Sequence, residues 1–229
     1  MDVRIISLRP RYKHAVKKIF PQATFIEATD MINIVTPQEL LDNKVITPNA
    51  FNALVNGRKE HIELGSTGAV GLTLSFQKAL KSGDINRPIL ICEDDCVPLR
   101  RLPHVIQSIM TKLDNIDMVI FGPLKCMKDN KQIKFELEGF DVLNNYYWGN
   151  HAVLFTRRGR SRAIRYLQTP IDVQLDAYFS QVAMQGRFDV LIQSSGRSLA
   201  RQKPHLSSVQ KYDSLYWDSV QKFLSLQKL

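Results

Sequence analysis

The sequence predicts an α/β fold, a mostly parallel central sheet flanked by helices, built as a single domain of 229 residues. Three observations carry this. Residues 3–8 and 24–28 are short apolar runs with a helically spaced segment between them, the pattern of a βαβ unit. Residues 88–92, Pro-Ile-Leu-Ile-Cys, are apolar without alternation, as a strand buried on both faces is. Residues 118–121 and 188–192 read the same way.

The elements follow in order. The first strand, 3–8, feeds a loop at Arg9-Pro10, and a helix over 11–20, apolar at Ala15, Val16, Ile19 and Phe20, stops at Pro21. Residues 37–63 read as short helices joined by Pro48 and Gly57. Ser66 or Thr67 caps a helix that runs through Leu72, Phe76 and Leu80 to Gly83. After the strand at 88–92 come a helix at 103–113, a strand at 118–121 stopped by Gly122-Pro123, and a strand or hairpin within 131–143. Residues 146–155 predict one strand with a bend or bulge at Gly149. A basic helix covers 157–167; Pro170 opens another, with Asp172 in its first turn, ending near Gly186. A strand at 188–192 and a C-terminal helical segment at about 207–229 complete the chain.

Composition narrows the function. No apolar run is long enough to cross a bilayer and the N-terminus lacks a signal-peptide core, so a soluble, cytoplasmic protein is expected. Three cysteines, Cys92, Cys96 and Cys126, make neither a disulfide framework nor a zinc site and suit a reducing compartment. The net charge of +9 suits a phosphate-bearing ligand, nucleic acid or an anionic surface. The basic residues are scattered, with no RNA-binding aromatic motif or zinc-finger spacing, so no nucleic-acid partner is expected. The C-terminal segment carries Asp213 and Asp218 and is expected to pack on the domain, with at most peripheral membrane contact.

The chemistry concentrates at Glu93-Asp94-Asp95, directly after the apolar strand. Adjacent carboxylates raise one another's pKa unless a cation is present. Ligands of open α/β sheets bind beyond the carboxyl ends of strands, where this triplet falls. Alternation along an extended chain points Glu93 and Asp95 one way and Asp94 the other, so the first two can offer oxygen ligands to Mg2+ or Mn2+. The competing reading is a solvated turn whose aspartates cap the next element.

Residues 89–99, ILICEDDCVPL, resemble the LILEDD segment of glycosyltransferase family 25, which includes bacterial lipooligosaccharide and collagen galactosyltransferases. Other segments appear in the family's order: VRIISLRPR at the N-terminus, FIEATD for its Ala-x-Asp, and GAVGLTLSFQKAL for its Gly-Glu-Ile-Gly-x-x-x-Ser-His helix. YYWGNHAVLFTRRGRSRAI is similar to its W-G-x-x-A-Y-x-I-x-x-x-G stretch, followed by TPID for Pro-x-Asp. The resemblance implies a GT-A-like, Rossmann-type fold and an inverting transfer of a hexose. Galactose from UDP-galactose, with Mn2+ or Mg2+, to a saccharide or hydroxylysine-type acceptor is the reaction it implies. Where the family helix has Glu and His, this chain has Ala69 and Phe76.

Roles follow, each with a plainer reading beside it. Asp95 and Glu93 are the expected metal ligands, and Asp94 contacts the donor ribose or sugar. Asp30 accepts a hydrogen bond from uracil or ribose, or serves only an Asx-type turn. Arg9 and Arg11 meet the diphosphate or stay merely exposed. Asp172, matching Pro-x-Asp, and Asp176 are the candidate bases; Asp172 could instead stabilise its helix N-terminus. Spaced four apart on one helix, the two would share a face. Trp148, Gly149 and Asn150 form another site wall, with core packing the alternative for the tryptophan. His205, and after it His151, could complete the metal shell. A catalytically silent relative acting as a binding or scaffolding protein is the alternative function, motivated by Ala69 and Phe76. A phosphotransferase or nuclease lacks a P-loop or a further acidic motif.

Overall fold

The computed structural model describes residues 1–8, 14–32, 34–126, 138–194 and 198–202. Arg9, Arg11, His205, residues 131–137 and the expected helix at 207–229 lie outside the described residues. In chain order the elements are β1 (Asp2–Ser7), α1 (Ala15–Ile19), β2 (Thr24–Glu27), α2 (Pro37–Asp42), α3 (Pro48–Asn56) and α4 (Thr67–Lys81). Next come β3 (Ile89–Glu93), β4 (Cys96–Pro98), α5 (Leu102–Met110), β5 (Met118–Ile120), β6 (Lys125–Cys126), β7 (Phe140–Val142), β8 (Tyr147–Trp148) and β9 (Ala152–Phe155). The described chain finishes with α6 (Arg157–Tyr166), α7 (Leu175–Met184), β10 (Val190–Gln193) and β11 (Ala200–Gln202).

Seven strands form the central sheet in the order β2-β1-β3-β9-β5-β10-β7. β2, β1, β3, β5 and β10 run one way; β9, between β3 and β5, and β7 at the edge run the other. This is the mostly parallel, Rossmann-like α/β sheet that the apolar runs predict. Alternation along each strand feeds two cores. Val3, Ile5, Leu90, Val119, Leu154 and Leu191 face α1 and α5. Ile6, Ile91, Ile120, Val153 and Ile192 face α4, α6 and α7. Two-sided burial is why β3, β5, β9 and β10 are built mainly of apolar residues. A third cluster packs α2 and α3 on the outer side of α4. No helix among the described residues is long and apolar enough to cross a membrane.

Local chemistry sets the helix ends. Thr36 and Glu39 make a capping box on α2, and Thr47 caps α3 with Pro48 in its first turn. Ser66 is the cap of α4, accepting from Ala69 N.

Two expectations are corrected. Residues 146–155 are not one bent strand. Gly149, at φ +99°, separates β8, which pairs with β6, from β9 in the main sheet. Nor does Pro170 open a helix. Ile171 N donates to Val45 O (2.8 Å), Thr47 N to Ile171 O (3.0 Å) and Gln174 N to Ile62 O (3.0 Å), so tertiary pairing holds 171–174 extended until α7 starts at Leu175. Asp172 therefore precedes the helix and does not share a helical face with Asp176.

At the far end of β9, α6 comes so close to β5 that a Cβ on Gly159 would lie 1.8 Å from the Asp117 carbonyl oxygen. Gly159→Ala must push two backbone segments apart, and the expected cost is about 1–3 kcal/mol or more. Urea unfolding should show it, with a melting point lower by roughly 2–4 °C per kcal/mol.

Candidate active site

The parallel strands end on one edge of the sheet, β1 at Ser7, β2 at Glu27 and β3 at Glu93. Because β9 runs the other way and starts with Ala152 opposite Cys92, residues 149–151 reach that same edge. The Glu93 N–H donates to the His151 carbonyl (3.1 Å) and joins the two.

A cleft of about 70 Å³ opens there, lined in part by Ser7, Asp30, Leu72, Ser75, Glu93 and Asp94. α4 shapes it. A Cβ on Gly71 would lie 2.3 Å from the Thr29 carbonyl oxygen, so glycine is what lets the helix approach this loop. Ser75 locks the contact: Thr29 N donates to its hydroxyl (2.8 Å), which donates to the Gly71 carbonyl (2.6 Å). The Thr67 hydroxyl donates to the Met31 carbonyl (2.8 Å). Asp30 is held between these ties. Its carboxylate accepts from Ile32 N (3.0 Å) in an Asx-type turn, and the residue also lines the cleft.

Glu93 ends β3, and Asp94-Asp95 is the turn into β4. The turn breaks the alternation expected from an extended chain. Glu93 and Asp94 both line the cleft, while Asp95 Oδ2 accepts from Gln202 Nε2 of β11 (2.6 Å). The Ser7 hydroxyl donates to Asp94 Oδ2 (2.8 Å), and His14 Nδ1 lies 3.3 Å from the Asp94 carbonyl oxygen. Burial holds the Glu93 carboxyl well above the usual range, and the charges of Asp95, Asp94 and Asp176 push it the same way. Burial also raises Asp176, against the N–H groups of Ala177 (2.8 Å) and Gly149 (3.4 Å) and the charge of His61. Glu93 thus feels three neighbouring carboxylates. Below it, the Cys96 thiol is pushed up by its hydrogen bond to Cys92, by burial and by the nearby carboxylates, so it stays protonated.

The second wall differs from the expectation. Trp148 is half-buried, with its ring centroid 5.0 Å from that of His61. Asn150 is buried, and its Oδ1 accepts from the Tyr147 hydroxyl (2.5 Å), so its amide serves the interior. His151 is buried, and burial pushes its imidazole below the usual range. His61 had no signal in the sequence, since a histidine in an irregular segment carries no motif. The fold alone brings it to Trp148 and Asp176. Asp172 goes elsewhere: it accepts from the Thr47 hydroxyl and lines a separate groove against α3.

Among the described residues, no group of three His, Cys, Asp or Glu side chains is disposed to hold a metal ion. The donor chemistry of Glu93, Asp94 and Asp95 still fits Mg2+ or Mn2+. Such ions take one or two protein carboxylates and complete their shell with water and substrate phosphate.

No protein-family model and no curated protein matches the chain. Among solved structures, the crystal structure of A197 from STIV is similar over 90% of this chain and 87% of that one, at 13% identity and a TM-score of 0.45.

Glu93→Gln tests the crowding through proton linkage. A carboxyl whose folded-state pKa lies above its unfolded value, about 4.3, costs stability as pH rises from the unfolded value towards the folded one. Wild type and variant should melt together below about pH 4. At neutral pH the variant should melt higher, on the order of 2–4 °C for each kcal/mol relieved. A variant that melts with or below wild type at neutral pH would exclude electrostatic strain at this turn.

Proposed function

We propose that this chain is a metal-dependent glycosyltransferase of GT-A-like fold that moves a hexose from a nucleoside diphosphate sugar to a hydroxyl acceptor. The observation that carries the reading is the gathering of Glu93, Asp94, Asp95 and Asp176 at the carboxyl edge of the sheet, beside a cleft that also takes Ser7 and Asp30. The segments similar to glycosyltransferase family 25 run through the same features. Galactose from UDP-galactose is the donor that the resemblance favours, and a saccharide or hydroxylysine-type hydroxyl the acceptor.

Each side chain has a role on this reading. Glu93 and Asp94, the two carboxylates that line the cleft, would hold the divalent ion, whose charge would offset that of the leaving diphosphate, in place of the Glu93 and Asp95 pair that strand alternation suggested. Asp30, fixed by its own turn, accepts a hydrogen bond from ribose or base, and Asp95 stays on Gln202. Trp148 offers a face to the sugar. Asp176 suits the general base better than Asp172, because it shares the environment of Glu93 and its raised pKa brings it closer to neutrality.

Titration calorimetry of UDP, with and without Mn2+, tests the binding half of the reading. Wild type should bind UDP only with the metal, and Asp94→Ala should weaken binding at least about tenfold. Metal-independent binding, or retained metal-dependent binding in that variant, would refute the ion site. For the chemical half, Asp176→Asn should bind UDP and Mn2+ normally while its kcat for sugar transfer falls by roughly 10²–10⁴. An unchanged kcat would remove Asp176 as the base.

A further inference from the structure

Beside the acidic cluster runs a second depression of about 750 Å³, between α3 and the extended segment before α7. That size is within the roughly 300–1,000 Å³ of small-molecule sites. One wall is a stripe on α3, where Asn49, Asn52 and Asn56 stand at helical spacing and all three are exposed. The opposite wall carries Asp172, Glu63 and Gln181. The carboxylate of Glu63 is held by the N–H groups of Lys59 and Glu60, which keep it below the usual range and ionised.

Asn52, in the interior of α3, is unfavourable there: it is a poorer helix former than alanine because its amide competes with the backbone. The helix forms because Thr47 and Pro48 start it and Ala50 and Ala53 are buried beneath it. What the stripe gains is a row of groups that each donate and accept hydrogen bonds. Sugar hydroxyls do the same. A phosphate-bearing ligand suits the groove poorly, since Asp172 and Glu63 outnumber Lys59.

We propose that this groove binds an uncharged oligosaccharide, with the amides of Asn49, Asn52 and Asn56 donating to and accepting from its hydroxyls and the carboxylate of Asp172 accepting from them. The groove shares a wall with the acidic cluster. Gln174 Nε2 donates to the carbonyls of His61 (2.7 Å) and Glu63 (3.0 Å). Glu63 lines the groove, while His61 packs at a tilt against Trp148 and its charge acts on Asp176. Resting on the transferase reading, the groove is the seat of the acceptor, and Asp172 orients hydroxyls there instead of taking a proton.

Backbone chemical-shift titrations with maltotriose, chitotriose and N-acetyllactosamine, without nucleotide or metal, test the groove separately from the donor site. At least one probe should perturb amides of α3 and residues 172–174. Asn52→Ala/Asn56→Ala should weaken that binding about tenfold. The double variant gains helix propensity, so an unchanged or higher melting point separates lost binding from lost folding. Probes that perturb neither region, perturb only the acidic cleft, or bind the double variant unchanged would overturn the proposal. Any of these results leaves metal-dependent UDP binding, and so the transferase reading, to stand or fall alone.

Discussion

The buried carboxylate of Asp117 is the interaction on which the arrangement of the sheet turns. A charge with no exposure to water is costly unless its oxygens are met by well-placed donors. Here Arg158 Nε (2.8 Å), Arg162 Nη1 (2.7 Å) and Asp189 N (2.9 Å) meet them. The Asp117 carbonyl in turn accepts from Thr156 N (3.0 Å). One residue therefore ties the entry of β5 to the exit of β9, the start of α6 and the entry of β10. Anchoring the exit of the reversed strand β9 fixes where its entry lies, and that entry delivers residues 149–151 to the edge where β3 ends in Glu93. The site's second wall is set from the opposite end of the sheet.

The carboxyl edge is different. Asp94 accepts from the Ser7 hydroxyl and Asp95 from the Gln202 amide, and burial pushes Glu93 and Asp176 towards their protonated forms. Glu93 also has three other carboxylates near it, which raise its pKa further. β11 contributes as well. It lies across Gly122, pairs with β4, and brings Gln202 over the turn, so the last described strand becomes part of the site.

β3, β5 and β10 were legible because burial on both faces forces apolar runs, β1 and β2 because short apolar runs bracket a helically spaced segment, and α4 because a serine cap and a glycine stop bracket its period. Strand direction was not legible. The run Ala152-Val153-Leu154-Phe155 is equally apolar read either way, and its direction is set by its pairing with β3 and β5, both far off in sequence. Pro170 misled for a related reason: its local signal for a helix start is genuine, but Val45, Thr47 and Ile62 claim the following backbone groups first. In the site, the acidic triplet and Asp30 stood out from the sequence by charge and by position after strands. His61 and the asparagine stripe did not, because their meaning comes only from what the fold sets opposite them.

The two positions at which α4 differs from the glycosyltransferase segment that it resembles can be placed in this geometry. Ala69 packs with Leu40, Ile46 and Leu64, and Phe76 is wholly buried against Ile6, Ile91 and neighbouring strands. The residues of α4 that face the cleft are Gly68, Leu72 and Ser75. A glutamate or histidine buried at position 69 or 76 would need partners to offset its desolvation, whereas alanine and phenylalanine need none. Both side chains thus serve the core, while Gly71 and Ser75 bring α4 against Thr29. Neither Ala69 nor Phe76 lines the cleft, so these two positions act on packing and not on the lining of the cleft.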